Sequence, residues 1–168
     1  MKKSSVYLFY GNETFLIQKQ IDKITDALLP LEEKEFNVIT YDLADTPVEE
    51  VIQEAETLPF LSEHKLVIAK NADLFTAQKG LKKIEHQIDS LETYLNQPAP
   101  YSTVIFWTPH EKLDERKKIV KQIKQKAYVQ SFSQLTGKNL LDWVKESAMK
   151  CQVTISDDVA ANLIHRVG

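Results

Sequence analysis

Val6-Tyr7-Leu8-Phe9-Tyr10-Gly11-Asn12-Glu13-Thr14-Phe15-Leu16 is the stretch from which the fold can be read. Five uncharged, β-prone residues run into a glycine, and Phe15, Leu16, Ile21, Ile24 and Leu28 then recur at helical spacing until Pro30. A short apolar run before a turn residue reads as a strand, and the wider spacing reads as one face of a helix. The stretch therefore predicts a strand, a turn and a helix.

The same alternation continues downstream. Phe36 to Tyr41 is a second β-prone run, and Pro47 then precedes the stripe Val48, Val51, Ile52, Ala55, as expected where a first helical turn tolerates proline. Lys65 to Ala69 predicts a third strand. Leu81, Ile84, Ile88, Leu91 and Leu95 predict a helix over 81–95, and Thr103 to Trp107 is a fourth, almost wholly apolar strand. A helix from about Asp114 to Lys126 leads into a fifth strand over Tyr128 to Phe132. Repeated β-α units with near-continuous apolar strands imply an α/β fold, a doubly wound and mostly parallel sheet covered on both faces, over residues 1–135.

Beyond Thr136-Gly137-Lys138 the pattern turns wholly helical, with one stripe at Leu140, Leu141, Val144, Ala148 and another at Ala160, Leu163, Ile164, Val167 after a Ser156 cap. Two short helices cannot bury a core of their own. Residues 136–168 are expected to be the start of a small helical domain whose remainder lies beyond this chain.

Composition sets outer limits. The chain has 168 residues, 43% hydrophobic and 27% charged, with a net charge of -3, as in ordinary globular proteins. A slightly acidic balance argues against a dedicated nucleic-acid binder, which needs positive charge to neutralise phosphates. The single cysteine, Cys151, rules out an internal disulfide and a cysteine-built metal site. Met1-Lys2-Lys3-Ser4-Ser5 is followed by only five apolar or aromatic residues before Gly11, too few for a signal-peptide core or a membrane span, so a cytoplasmic protein without membrane contact is expected.

A glycine turn between a first strand and a helix is where nucleotide-binding proteins cradle phosphate. That cradle needs the pattern G-x-x-x-x-G-K-[ST], in which amides wrap the phosphates, lysine reaches their terminal oxygens and a hydroxyl holds magnesium. Here Gly11-Asn12-Glu13 is followed by no glycine-lysine-hydroxyl triplet, Phe15 is bulky, and Glu13 brings negative charge. Asp73 and Glu111 follow the third and fourth strands, and the ordinary role of such acids is to shape turns. The turn is not expected to hold or hydrolyse ATP, and no cofactor or metal is expected. His64, His86, His110 and His165 show no ligand spacing.

Leu58-Pro59-Phe60-Leu61 is a second anomaly, because four apolar residues occupy a connection between helix and strand. Connections run over the surface, so these side chains either fold back over the end of the sheet or form an exposed interaction patch. Pro59 restricts Leu58 to extended geometry and stiffens the loop.

Three segments together resemble the delta subunit family of the bacterial DNA polymerase III clamp loader. They are Tyr7 to Leu16, Leu58 to Ile68, and Thr103 to Trp107 with the basic run Lys112-Leu113-Asp114-Glu115-Arg116-Lys117-Lys118. The resemblance implies a P-loop/AAA+ (RecA-like) domain in which Gly11, Asn12 and Glu13 are the remnant of a phosphate loop, followed by the start of a lid domain. It implies no ATPase of its own within the polymerase holoenzyme, and a role in gripping and opening the sliding clamp during replication. By position, Phe60 and Leu61 would be the wedge, with Leu58 and Pro59 shaping its approach. Other loader subunits, and DNA through the assembled complex, are the further partners implied.

Two other readings remain open. One is a nucleotide-binding enzyme, an ATPase or kinase with an atypical loop at Gly11. The other is a DNA-binding regulator using Arg116 to Lys126, although Leu113, Ile119, Val120 and Ile123 give that segment a buried side and a solvated basic face accounts for the rest.

Overall fold

A computed structural model describes residues 4–77 and 84–133. The helices expected over 136–168, with Trp143, Cys151 and His165, lie outside the described residues. Five strands, β1 (Val6–Tyr10), β2 (Val38–Asp42), β3 (Lys65–Lys70), β4 (Ser102–Thr108) and β5 (Tyr128–Ser131), form one sheet in the order β2-β3-β4-β1-β5. Every pairing is parallel. The helices are α1 (Thr14–Leu28), α2 (Leu31–Asn37), α3 (Val48–Glu56), α4 (Ile88–Asn96) and α5 (Lys118–Lys126), with a 3-10 turn at Asp73–Phe75.

Strand periodicity divides the core into two layers. Val6, Leu8, Val67, Val104 and Phe106 face Val51, Ile52, Leu91, Leu95 and Ile123 of α3, α4 and α5. Tyr7, Phe9, Leu66 and Ile105 point the other way, against Ile17, Ile21 and Ile24 of α1. Successive side chains on a strand alternate in direction, so β1, β3 and β4 must be apolar at nearly every position to feed both layers. The doubly wound α/β sheet expected from the sequence is present.

Four local expectations are corrected. Phe36 belongs to α2, not to the second strand, because Pro30 opens a short helix with Glu32 and Glu33 in its first turn, where the helix dipole favours acids. Phe15 is exposed, since one residue of offset in the first turn of α1 turns it to solvent while Ile17 turns inward. Of the helix expected over 81–95, α4 begins only at Ile88, and Ile84 lies in an irregular segment. The helix expected from Asp114 begins at Lys118, so Glu111, Asp114 and Glu115 precede it and its first turn holds no acid; Lys124 and Lys126 still sit favourably in its last turn.

The irregular segment before α4 acts on α3. Val48 donates its N–H to His86 Nδ1 at 2.9 Å, and Gln87 donates its N–H to Glu49 Oε2 at 2.9 Å. An imidazole accepting at Nδ1 is neutral with its proton on Nε2. Burial pushes the His86 pKa below the ordinary 6.5, opposed by Glu49 and assisted by Lys117. The folded state therefore binds fewer protons than the unfolded chain, so this contribution to stability is complete above about pH 6.5 and is lost as pH falls below it. The thermal midpoint is expected to drop between pH 7.5 and 5.5 by more in the parent chain than in His86→Leu. Equal drops in circular-dichroism melts would refute the capping role.

Candidate functional site

Two regions carry the sequence anomalies, and they lie at opposite edges of the sheet. At the C-terminal edge, Gly11 leaves β1 with a φ of 138°, a conformation that side chains strongly disfavour. Its N–H donates to Thr108 O at 3.2 Å, Glu13 N–H donates to Phe132 O at 2.9 Å, and Phe132 N–H donates back to Tyr10 O at 2.6 Å. The chain leaving β5 thus passes directly over the turn. A Cβ on Gly11 would stand 2.1 Å from Phe132 O, so this glycine makes room for backbone. The amides of Gly11 and Glu13, which a phosphate cradle would turn towards its ligand, are engaged by carbonyls.

The neighbouring acids are occupied as well. Asn12 donates its side-chain amide to Glu111 Oε1 at 2.6 Å. Thr108 Oγ1 donates to Asp73 Oδ1 at 3.1 Å, and His110 Nε2 lies 3.1 Å from the same oxygen. Asp73 and Glu111 fasten the loops beyond β3, β4 and β1 to one another. Among the described residues no group of three or more His, Cys, Asp or Glu is arranged to hold a metal ion.

The N-terminal edge carries the second region. Leu58, Phe60 and Leu61 are 72%, 57% and 85% exposed, and Pro59 is half-buried. They stand out from solvent-facing loops because the main chain beneath them is held. Asn37, 1% exposed at the end of α2, accepts the Phe60 N–H at its Oδ1 (2.8 Å) and donates from Nδ2 to Phe60 O (2.8 Å) and to Glu33 O (3.1 Å). One buried carboxamide so satisfies both main-chain groups of the loop's aromatic residue, the role a neighbouring strand would otherwise play. Ser62 Oγ donates to Glu33 Oε2 at 2.6 Å, and Leu61 adopts a left-handed φ of 51°. That conformation costs a non-glycine residue about 1 kcal/mol or more and persists only where surrounding bonds enforce it.

Lys65 fixes the same edge from below. Its ammonium, almost wholly buried at the start of β3, donates to Glu54 O at 3.0 Å and Thr57 O at 3.2 Å and pairs with Glu54 Oε1 at 2.7 Å. It thereby caps the last carbonyls of α3, where a cation is favoured by the helix dipole. Ser102 Oγ donates to Ala55 O at 2.5 Å, and the Tyr101 hydroxyl donates to Glu56 O. The Leu58–Leu61 loop leaves a helix end and enters a strand that are both pinned.

The matching sequences follow the same boundaries as this fold. The family model for the DNA polymerase III delta subunit matches residues 7–133. The chain belongs to the DNA polymerase III delta subunit family. It is 39% identical over 159 residues to the delta subunit of Bacillus subtilis strain 168, covering 95% of this chain and 46% of that relative. The solved structure of the B. subtilis clamp loader delta protein superposes with a TM-score of 0.89 at 39% identity, over 95% of this chain and 47% of that one. The chain thus spans about half the length of these relatives. Aeropyrum pernix ORC2, solved with ADPNP and ADP, shares the fold alone, with a TM-score of 0.51, 13% identity, and coverage of 87% of this chain and 46% of that one. The sheet is of the AAA+ (RecA-like) type.

The sequence therefore picked out both regions, Gly11-Asn12-Glu13 and Leu58-Pro59-Phe60-Leu61, and the structure gives each a distinct setting. It missed Asn37 and Lys65. The start of α2 was signalled by Pro30 and two following glutamates, but nothing local marked Asn37 as the partner of Phe60. Gly11→Ala is expected to destabilise the domain by about 2–4 kcal/mol, from a forbidden φ and a carbonyl that must move. An unchanged urea midpoint would show that the β5 exit does not close over this turn.

Proposed function

We propose that this delta-family chain is a non-hydrolysing clamp-loader subunit that grips the sliding clamp through Phe60 and Leu61, with Leu58 and Pro59 directing their approach. The observation that carries the proposal is a pair of large, exposed apolar side chains on a loop whose backbone is fixed by Asn37. A prearranged loop loses little conformational freedom on binding, so the burial of its side chains in an apolar groove is retained as affinity. Gripping the clamp would let the subunit help open it for loading onto primed DNA, while partner subunits supply ATP hydrolysis. Contact with those subunits, and with DNA through the assembled complex, belongs to the same reading, as does a cytoplasmic location. No helix among the described residues is long and apolar enough to cross a membrane.

The engaged amides of Gly11 and Glu13 support the absence of nucleotide chemistry. They leave the alternative, an ATPase or kinase with an atypical loop, without a cradle for phosphate. The DNA-binding reading loses support from the basic segment itself. Arg116 is forked onto Asp114, Lys124 pairs with Glu115, Lys118 lies 3.7 Å from Glu92, and Lys117 donates to the carbonyls of Leu74 and Thr76.

A titration with purified sliding clamp tests the proposal. Each anchor is expected to contribute about 2 kcal/mol, so Phe60→Ala/Leu61→Ala should weaken binding by roughly several hundredfold. Both side chains are exposed, and the variant should keep its circular-dichroism spectrum and melting midpoint. Unaltered affinity in the folded variant would remove the wedge.

A further inference from the structure

We propose that the exposed face of α2, represented by Phe36, forms part of the same clamp-gripping surface as the loop, so that the anchor is a composite of Phe36, Phe60 and Leu61. This rests on the clamp-binding reading of the loop and extends it to α2, where the residue pattern predicts the start of a strand at Phe36 and the chain is helical. Phe36 and Phe60 lie with ring centroids 5.4 Å apart at an interplanar angle of 56°. Each is nonetheless 57% exposed. Two aromatic rings that touch each other and still show more than half their surface to water form a single apolar patch, and patches of this kind mark contact sites.

The link is built into the backbone as well. Asn37 follows Phe36 directly, and its carboxamide holds both main-chain groups of Phe60, while Glu33 of α2 accepts from Ser62 just beyond the loop. Helix and loop are therefore one rigid body at three successive points, and a surface that seats on Phe60 meets Phe36 in the same orientation. The size of a stable contact points the same way. A standard protein interface removes about 800 Å² per partner, whereas one fully buried aromatic side chain supplies about 150–250 Å². Four loop residues fall short of that area, and the adjoining face of α2 extends it without any rearrangement.

The occupant is therefore the clamp, seated across loop and helix together. On this proposal the clamp presents an apolar groove wide enough for two rings tilted against each other. Acidic side chains at Glu32, Glu35 and Glu63 are exposed on α2 and the loop beyond Leu61; on this proposal the clamp meets them with a basic rim, which would speed association at low salt.

The test is a titration of the purified sliding clamp with Phe36→Ala, Phe60→Ala and the double variant, each checked for its melting midpoint. Phe36→Ala should weaken binding about tenfold, as expected of an aromatic anchor, and the double variant should bind more weakly than Phe60→Ala alone. If Phe36→Ala binds like the parent while Phe60→Ala is weakened, the composite surface is wrong and the wedge stands. If the Phe36→Ala loss vanishes in the Phe60→Ala background, Phe36 only props its neighbour and direct contact is excluded. If Phe60→Ala binds like the parent, the wedge itself fails and this extension with it. Self-association of the parent chain in sedimentation, abolished by Phe36→Ala with clamp affinity unchanged, would assign the face to a second copy instead.

Discussion

The hydrogen bonds that tie Tyr10, Gly11 and Glu13 to Thr108 and Phe132 determine what the rest of this fold can do. In an open parallel sheet, ligands bind in the crevice beyond the carboxyl ends of the strands, where loops diverge and amides are free. Here the chain leaving β5 fills that place with its own carbonyl, and only the missing side chain of Gly11 lets it come so close. The consequence is structural before it is chemical. The turn at the position of a nucleotide cradle becomes a fastening of β1 to β4 and to the chain leaving β5.

With that edge closed, the opposite edge carries the unusual surface. Lys65 and Asn37, buried there with Ser102 and Thr103, each satisfy several main-chain partners. Burying such groups is unfavourable unless their hydrogen-bonding capacity is met. Both meet theirs by holding the end of α3, the loop and α2 in place. The apolar side chains of the loop remain in water, and the left-handed Leu61 adds a local cost. In the proposed role, these exposed apolar side chains on an enforced backbone are prearranged for a partner. On the proposed reading, the energy comes from the sheet and its buried polar contacts, and the loop delivers it to the clamp.

How much of this was legible follows from the range of the interactions involved. The α/β order was legible because β1, β3 and β4 are apolar at nearly every position, a pattern set by local burial on both faces. The Leu58–Leu61 loop was legible because four apolar residues in a connection have no local reason to be there. The beginnings of α4 and α5 were misplaced because Ile84 and Leu113 continue a helical spacing that the backbone does not follow, and an apolar period alone cannot show where a helix begins. Phe36 was misread because an aromatic beside Val38 and Ile39 fits a strand, while the signal at Pro30, Glu32 and Glu33 pointed to a helix. The contacts that matter most, Asn37 with Phe60 and Gly11 with Phe132, join residues far apart in the chain. No pattern within a few residues encodes them, even though the glycine itself stands out.

Hydrogen exchange followed by mass spectrometry tests the central claim that this sheet has closed one edge and presents the other. Added to the chain, sliding clamp should slow exchange in residues 33–37 and 58–62, while magnesium ATP should leave residues 10–16 unchanged. Protection of residues 10–16 by ATP, or no protection of the loop by the clamp, would contradict the account.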